Sequence, residues 1–378
     1  MNRVGVLGGG QLGRMMAQAG RPLGISCLFL DPAADACAGD EGDLLVAGWE
    51  DSVALDRLSE HCDVATFDFE NVPRASAQRV ARRIPFRPCP EALAACQDRL
   101  VEKRLLRDLD IDTPDVHPVS SRPDLLEALD HIGLPAVLKT RRFGYDGKGQ
   151  AVLRNDEDLE RAWQRLGGHE LILEAFVPFD LETSIIAVRG LDGEVRSWPM
   201  GRNLHRGGVL AATLVPALDD AIQADAEARV RRLLEHFDYV GVIALELFLV
   251  GDRLLANEIA PRVHNSGHWS IDGAETSQFD NHLRAITGRP LGDTAARHHS
   301  LMFNWIGRHP RPVSLPGVHW HDYRKKARPG RKVGHATVVA DDLPTLRDRA
   351  QDLADAVGGS AADTLERLIP ANEAIGLL

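Results

Sequence analysis

The sequence has little cysteine, and the cysteines it has form no recognisable metal or disulfide pattern. Its five cysteines include no CxxC pair and leave one over from any pairing scheme, which favours a reducing, cytoplasmic compartment. No run of 18 apolar residues occurs, and the apolar N-terminus is broken by glycines and by Arg14. We therefore expect neither a membrane partner nor a structural zinc site built from cysteines.

Positive charge is scarcer than negative charge, because 44 lysines and arginines stand against 55 aspartates and glutamates. The formal net charge of -11 argues against a nucleic-acid partner, although a locally basic pocket for a small phosphorylated ligand is compatible with it. With 378 residues, 44% of them hydrophobic, the chain is long enough for two or three folded domains. Clefts between those domains are the first places to look for a site.

The first 90 residues alternate strand-like apolar runs with helical periodicity, which predicts a Rossmann-like parallel sheet. The segment 8–13, GlyGlyGlyGlnLeuGly, satisfies GxGxxG directly after a strand, and Asp31 closes the next strand where a ribose-binding acid would lie. Alone, this motif is typical of an NAD-dependent dehydrogenase. A glycine turn at a helix N-terminus suits any phosphate equally well, and a tight turn without a ligand is the simpler alternative.

A second glycine-rich segment follows Lys139, which ends the apolar strand predicted at 136–140. The segment 144–150, GlyTyrAspGlyLysGlyGln, can bring backbone amides close to phosphates, while Lys139 and Lys148 supply countercharge. A hairpin turn with solvated lysines is the alternative.

Two carboxylates are predicted to face each other across a hairpin that turns near Gly251. If residues 251–253 form the loop, Glu246 and Glu258 are directly opposed on one face, and a divalent cation such as Mg²⁺ would relieve their repulsion. A two-residue loop would instead stagger the pair and send the two side chains to opposite faces.

Polar side chains are dense in the segment 257–269, where Arg262 can bind a phosphoryl or carboxylate group and His264 and Asn265 offer donors to a small oxyanion. A solvated loop is the alternative. Late in the chain, five basic residues lie within 325–332, as either a phosphate clamp or a solvated surface run.

Together these segments resemble the ATP-grasp superfamily and, within it, the N5-carboxyaminoimidazole ribonucleotide synthase family. The resemblance rests on segments 8–15, 144–150, 257–269 and 328–335, in this order and spacing. It implies a fold of mixed α/β and α+β class: an ATP-grasp fold with an N-terminal Rossmann-like preATP-grasp domain and a small C-terminal domain. The expected division is a ribonucleotide-binding domain at 1–90, a small lobe at 91–170, a large lobe at 171–298 and a C-terminal domain at 299–378.

The resemblance also implies roles for individual residues. The metal ligands would be Glu246 and Glu258, and the catalytic group would be Arg262, His264, Asn265, Asp146 and Lys148. The aminoimidazole ribonucleotide would be bound by Gln11, Leu12, Glu70, Asn71, Tyr145, Lys325, Arg331 and Lys332. ATP would be bound by Arg99, Lys139, Gly144, Tyr145, Asp146, Gly147, Lys148, Gly149, Gln150, Glu174, Ala175, Phe176, Val177, Glu182, His205, Asn257 and Glu258.

The chemistry implied by the family is an ATP- and bicarbonate-dependent carboxylation of aminoimidazole ribonucleotide in purine biosynthesis, with Mg²⁺ as metal. A homodimer and a separate downstream mutase are further expectations. Asp68 departs from the family pattern, since a glutamate is expected there, and so does ArgAsnLeuHis at 202–205. The competing predictions are a formate-dependent glycinamide ribonucleotide transformylase, an NAD-dependent dehydrogenase and a noncatalytic nucleotide sensor.

Overall fold

The computed structural model describes residues 3–144, 147–358 and 361–369. Tyr145 and Asp146, both predicted to border the two substrate pockets, lie outside these residues. The described chain folds around three β-sheets, and none of its helices is long and apolar enough to cross a membrane. All five cysteines are free thiols.

The N-terminal sheet is parallel, as its alternating pattern predicts, with strand order β3-β2-β1-β4. Its strands are largely buried because helices cover them. The elements are β1 (Arg3–Leu7), α1 (Gln11–Gly20), β2 (Ser26–Asp31), β3 (Asp43–Val46), α2 (Ser52–His61), β4 (Val64–Phe67) and α3 (Arg74–Ala81). A short 3₁₀ segment, Cys37–Asp40, precedes β3.

The sequence pattern of 91–109 predicts one helix, but the structure has two, α4 (Pro90–Cys96) and α5 (Arg99–Asp108). Asp98 separates them, because its carboxylate accepts hydrogen bonds from the amides of Leu100 and Val101 and so begins a new helix. The same carboxylate pairs with Arg141, which ties the start of α5 to the small lobe.

The small lobe is a four-stranded antiparallel sheet of order β5-β8-β6-β7, covered by two helices. Its elements are β5 (Val116–Val119), α6 (Arg122–Ile132), β6 (Ala136–Thr140), β7 (Gln150–Leu153), α7 (Asp156–Leu166) and β8 (Leu171–Ala175). Because β8 lies between β5 and β6, this lobe continues to Ala175, and the boundary predicted at residue 170 falls too early. The pairing of β8 is long-range, so local sequence gave no signal of it.

The large lobe and the C-terminal segment share one nine-stranded sheet, β14-β13-β9-β11-β12-β15-β17-β16, with β10 beside β9. Its strands are β9 (Leu181–Arg189), β10 (Val195–Ser197), β11 (Gly201–Arg206), β12 (Val209–Val215), β13 (Gly241–Val250), β14 (Arg253–Ala260), β15 (His299–Ile306), β16 (Val318–Asp322) and β17 (Lys332–Ala340). The helices are α8 (Asp220–His236), α9 (Ser270–Gly273), α10 (Gln278–Thr287), α11 (Leu343–Val357) and α12 (Ala361–Leu368), with a 3₁₀ segment at Asn265–Gly267.

Strand pairing and core packing both cross the domain boundaries predicted from the sequence. Strand β15 begins at the boundary predicted at residue 299, yet it pairs antiparallel with β12. One hydrophobic core contains residues of the N-terminal sheet, such as Val6 and Phe29, together with Phe279 and Leu283 of α10. Apolar packing therefore joins the N-terminal domain to α10 of the large lobe.

Candidate active site

The first glycine turn is filled by carboxylates of the chain itself. The amide of Gly9 donates to Asp31 Oδ2 at 2.8 Å, and the amides of Gly10 and Gly13 donate to Asp68 Oδ2 at 2.7 and 3.1 Å. Gly8 has a φ of +113°, and a Cβ there would lie 1.6 Å from Asp68 Oδ1, so only glycine fits. Asp31 therefore does not take the ribose-binding role of a dehydrogenase, and these amides do not cradle a pyrophosphate.

Burial raises the pKa of Asp68 to about 6, although the Gly13 and Gly10 amides oppose this effect. Asp68 is the position where the family pattern leads us to expect glutamate. Its carboxylate holds the turn by accepting hydrogen bonds from the Gly10 and Gly13 amides, and the turn precedes Gln11, the first residue of α1.

The predicted carboxylate pair is confirmed in register, but for a different reason from the one expected. Strands β13 and β14 pair from Val250–Arg253, so the loop has two residues, which alone would stagger the glutamates. A register shift between Glu246 and Leu247 leaves Asn257 as an extra residue and restores direct pairing of Glu246 with Glu258. The β-bulge was not predictable from the turn.

Each carboxylate of this pair contacts a basic side chain. His264 Nε2 lies 2.9 Å from Glu246 Oε1, and Arg99 Nη1 donates to Glu258 Oε2 at 2.8 Å. Burial favours the protonated form of Glu246, but His264, His205 and Lys332 lower its pKa to about 2. Glu246 is thus ionised directly opposite Glu258, an arrangement that suits ligation of a divalent cation.

Helix α5 directs three charged side chains toward this region, of which the sequence analysis found only Arg99. Glu102 accepts a hydrogen bond from the Ile259 amide at 2.6 Å, and the fully buried Lys103 donates to the Ala256 carbonyl at 3.3 Å. Burial and the charge of Glu258 raise the pKa of Glu102 to about 8. Positions 99, 102 and 103 have the spacing of one helix face, which is the signal that could have identified them.

Lys139 and Lys103 share Glu174, at the end of the small lobe. Lys139 Nζ donates to Glu174 Oε2 at 2.7 Å, and Lys103 Nζ lies 3.5 Å from Oε1. Burial alone would raise the pKa of Glu174, but the two ammonium groups lower it to about 2. Lys139, predicted to supply countercharge to phosphates, is therefore positioned by Glu174, which is itself a predicted ATP ligand.

Neighbouring strands of the large sheet carry the other predicted nucleotide ligands. His205 Nδ1 pairs with Glu182 Oε2 at 2.9 Å; burial disfavours the imidazolium, but Glu182 raises its pKa above the ordinary value. Below them, hydrogen bonds connect Ser266, Ser184, Asn203 and Thr213 at distances of 2.7 to 3.1 Å. This buried polar chain fixes β9 and β11 against the segment after β14, and it was not predictable from local sequence.

The predicted catalytic residues differ in their surroundings. Arg262 pairs with Glu70, and its Nε is buried without a hydrogen-bond partner in the described part of the chain. Asn257 Oδ1 is buried and unpaired in the same sense. The Asn265 amide is occupied by a reciprocal pair with Asn304, at 2.6 and 3.1 Å. Its predicted role as an oxyanion donor stays a prediction, whereas Arg262 and Asn257 keep open hydrogen-bonding positions.

The predicted ribonucleotide residues come from both ends of the chain and meet in space. Lys325 Nζ donates to Gln11 Oε1 at 2.5 Å across 314 positions of sequence. Lys332 lies near enough to Glu246 and Lys325 to contribute to the pKa shifts of both. Leu12 is buried in the core, so only its backbone remains for a ligand. Arg331 and Asn71 are partly exposed.

Residues 175–177 line a cavity, and the second glycine segment packs against the turn between β11 and β12. Ala175, Phe176 and Val177 line a cavity of about 380 Å³ together with residues of the β13–β14 hairpin, but none of the charged residues above lines it. Gly147 has a φ of +74°, and a Cβ there would lie 2.7 Å from the Gly207 carbonyl, so a side chain cannot fit at this approach. Gly144, Lys148, Gly149 and Gln150 lie in the same segment.

Comparison with protein families matches nearly the whole chain. The ribonucleotide synthetase preATP-grasp domain matches residues 1–97, the ATP-grasp domain matches 104–279, and the phosphoribosylaminoimidazole carboxylase C-terminal domain matches 300–349. The N5-carboxyaminoimidazole ribonucleotide synthase of Pseudomonas aeruginosa is 49% identical over 354 residues, which cover 93% of this chain and 98% of that protein.

Solved structures agree. The N5-carboxyaminoimidazole ribonucleotide synthetase of Thermus thermophilus has a TM-score of 0.90 and 51% identity, covering 94% of this chain and 99% of that one. An Aspergillus clavatus synthase in complex with ADP and 5-aminoimidazole ribonucleotide has a TM-score of 0.87 and 31% identity, covering 94% and 98%. Fold and site thus define an ATP-grasp ligase. Within that class, the chain belongs to the N5-carboxyaminoimidazole ribonucleotide synthase family.

Proposed function

We propose that the chain carboxylates the amine of 5-aminoimidazole ribonucleotide, using ATP and bicarbonate and releasing ADP and phosphate, in purine biosynthesis. The observation that carries this proposal is the contact between Arg262 and Glu70. It joins the segment that follows the carboxylate pair Glu246–Glu258 to the N-terminal domain. A phosphate donor at the pair and an acceptor held by the N-terminal turn would therefore meet at one cleft.

The two ends of the chain supply the groups for a ribonucleotide phosphate. Lys325 already lies against Gln11, and Arg331 and Lys332 extend the same basic segment. Three cations and a helix N-terminus suit a phosphate monoester. Each can donate a charge-assisted hydrogen bond to a phosphate oxygen, and such bonds are about twice as strong as neutral ones. Glu70 and Asn71 would bind the uncharged part of the ribonucleotide, and Tyr145 would border it.

We assign ATP binding to residues of the small lobe and of strands β9 and β11. Lys139, held by Glu174, would contact the phosphates with His205, and Glu182 would bind the ribose. The backbone of 174–177 would hold adenine, and the segment from Gly144 to Gln150 would cover the phosphates. On nucleotide binding, Lys139 would move part of its hydrogen bonding from Glu174 to phosphate oxygens. Lys103 would make this possible, because it stays close to Glu174 and keeps that carboxylate paired.

The residues present also fit Mg²⁺. Glu246 and Glu258 are directly opposed, and Asn257 Oδ1 is a buried oxygen without a hydrogen-bond partner among the described residues. Oxygen ligands are what Mg²⁺ prefers. When bound there, the ion would neutralise charge on the transferring phosphoryl group.

The reaction would proceed in two steps. A bicarbonate oxygen attacks the γ-phosphorus and the bond to ADP breaks, giving carboxyphosphate; the amine then takes the carboxyl group with loss of phosphate and a proton. Arg262, with its unpaired Nε, would stabilise the small acid and the phosphoryl charge, and His264 would donate to the same group. Asp146 and Lys148 would lie between the two substrates.

Three finer proposals follow from family membership. We propose that the chain forms a homodimer, that its product passes to a separate mutase, and that it works in the cytoplasm, where its five free thiols stay reduced.

The test is an assay of ADP release with each substrate omitted in turn. We expect release to require Mg²⁺, bicarbonate and aminoimidazole ribonucleotide together, without any change in NAD(P)H absorbance. A noncatalytic nucleotide sensor would bind ATP and release no ADP. Full activity with formate in bicarbonate-depleted buffer would instead favour a transformylase.

A further inference from the structure

A second cluster of metal-binding side chain types lies apart from the carboxylate pair. Asp272 in α9, His321 in β16 and His335 in β17 each place one ligand atom within 4.8 Å of the other two. None of these residues has a role in the proposed carboxylation. Their spacing is close to what a single ion requires, because ligands about 2.1 Å from a tetrahedral ion lie roughly 3.4 Å apart.

The two histidines are held in place by the sheet. His321 and His335 are directly opposite in the register of β16 and β17, and their rings stack with centroids 4.3 Å apart. His321 Nε2 lies 2.8 Å from Asp272 Oδ2, so this nitrogen and a carboxylate oxygen already meet. To ligate one ion together with His335 and Asp272, the partly exposed His321 would turn its ring out of this stack, because an imidazole binds a metal in the plane of its ring.

His335 supplies an independent sign of a missing partner. Its Nδ1 is bonded to the Tyr323 hydroxyl at 2.7 Å, which fixes the ring and leaves Nε2 as the available ligand atom. His335 is fully buried, and Nε2 has no hydrogen-bond partner in the described chain. A buried polar atom without a partner is costly, so an unfilled ligand position is a physical reason for it. Such a hydrogen bond to the second ring nitrogen is typical of metal-binding histidines.

We propose that Asp272, His321 and His335 form a Zn²⁺ site with one coordination position open to water. Two imidazole nitrogens and one carboxylate oxygen are ligands that Zn²⁺ accepts, whereas Mg²⁺ prefers oxygen ligands only.

The position of the site gives it a structural purpose. Asp272 follows the catalytic segment 262–268, while β16 and β17 flank the residues that carry Lys325 and Arg331. An ion bound to all three ligands would fasten the base of that basic segment to the large lobe. It would thus set the distance between the ribonucleotide phosphate and the carboxylate pair, in addition to the role of the pair itself.

The test measures metal binding directly. Protein stripped with a chelator is titrated with Zn²⁺ by calorimetry and with Co²⁺ by visible absorption, both in excess Mg²⁺. We expect one equivalent bound per chain, a tetrahedral Co²⁺ spectrum and a Zn²⁺-dependent rise in Tm. The variants His321→Ala and Asp272→Asn should lose the equivalent and the rise in Tm.

Two controls keep the result specific. His298 also pairs with a carboxylate, Asp341, at 2.8 Å, but on the surface and without a second histidine, so His298→Ala should bind as the wild type does. Glu246 and His264 form another acid–imidazole pair, so Glu246→Gln should also keep the equivalent.

His321 is partly exposed, and circular dichroism should find its variant folded. If His321→Ala does not fold, the anomalous X-ray signal of Zn²⁺-soaked wild-type crystals decides the matter. An ion at Asp272, His321 and His335 supports the site. Wild-type protein that binds no Zn²⁺, or variants that bind as much as wild type, would overturn the proposal and leave a hydrogen-bonded cluster only.

Discussion

At the scale of single residues, the site pairs each of its buried or partly buried acids with a basic side chain. Glu246 has His264, Glu258 has Arg99, and Glu174 has two lysines. The residues at 246, 258 and 139 were recognisable because they lie in predicted strands next to a turn or a glycine-rich segment. Lys103 was not, since a lysine in a polar helix is usually solvated and its burial is decided by packing.

Replacing Glu258 by glutamine should reduce ADP release by about 100-fold or more, which corresponds to ~2.7 kcal/mol in the transition state. The change keeps the shape of the side chain and removes one charge from the carboxylate pair. Steady-state rates at saturating Mg²⁺ measure it, with exposed Glu127→Gln as the matched control. Equal rates for the two variants would mean that the pair holds no catalytic metal.

The stability that Glu174 provides should depend on pH. Its pKa falls from 4.5 to about 2 on folding, so the native state binds the proton less readily than the unfolded state does. The stabilisation, of order 3 kcal/mol, is present above pH 4.5 and lost as the pH falls toward 2. Denaturant unfolding of wild type and Glu174→Gln should show a gap that narrows over this window. A gap of constant size would contradict the ion-pair account.

At the scale of elements, irregular backbone positions the site. The β-bulge at Asn257 aligns the two glutamates, and the break at Asp98 aims α5 into the cleft. Sequence periodicity predicted many of the strands and helices because each buries one face, but it missed others, such as β5, β12 and α6. It predicted neither irregularity, because a bulge is chosen by long-range pairing and a helix break inside a continuous periodic pattern depends on one capping residue.

Removing the cap of α5 should therefore affect both stability and nucleotide binding. Asp98→Ala deletes the N-cap and the partner of Arg141, and we expect a loss of about 1–3 kcal/mol in unfolding free energy. Because Arg99 is the first residue of α5, the KM for ATP should also rise.

Ser121→Ala is the matched control, since Ser121 caps α6 away from the cleft. It should cost about 1 kcal/mol and leave the KM for ATP unchanged. If both variants shift the KM equally, the effect of Asp98 is general destabilisation.

At the scale of the whole molecule, the two ends of the chain build one pocket on a shared framework. The sequence resemblance predicted the domains and their order, and the family comparisons confirm the class. The shared nine-stranded sheet was not predictable, because the pairing of β12 with β15 joins strands about 85 residues apart. For the same reason, the contact between Lys325 and Gln11 appears only in the folded chain.

This contact leads to a prediction about ligand selectivity. Lys325→Met should weaken binding of aminoimidazole ribonucleotide by about 1.5–3 kcal/mol, the range for a charge-assisted hydrogen bond, with little effect on ATP. Calorimetric titration with each ligand measures both. Lys326→Met, in the same segment but exposed, should leave both affinities near wild type. Equal losses for the two ligands would indicate damage beyond the phosphate pocket.

The central claim is that the chain transfers carbon from bicarbonate to an amine at the expense of ATP. The most direct measurement follows labelled bicarbonate into product during turnover with ATP and aminoimidazole ribonucleotide. We predict one labelled carboxyl group per ADP formed, released as labelled carbon dioxide when the product is acidified, because a carboxylated amine is unstable in acid. Label that stays on the product in acid, or ADP formation without any label transfer, would contradict the account.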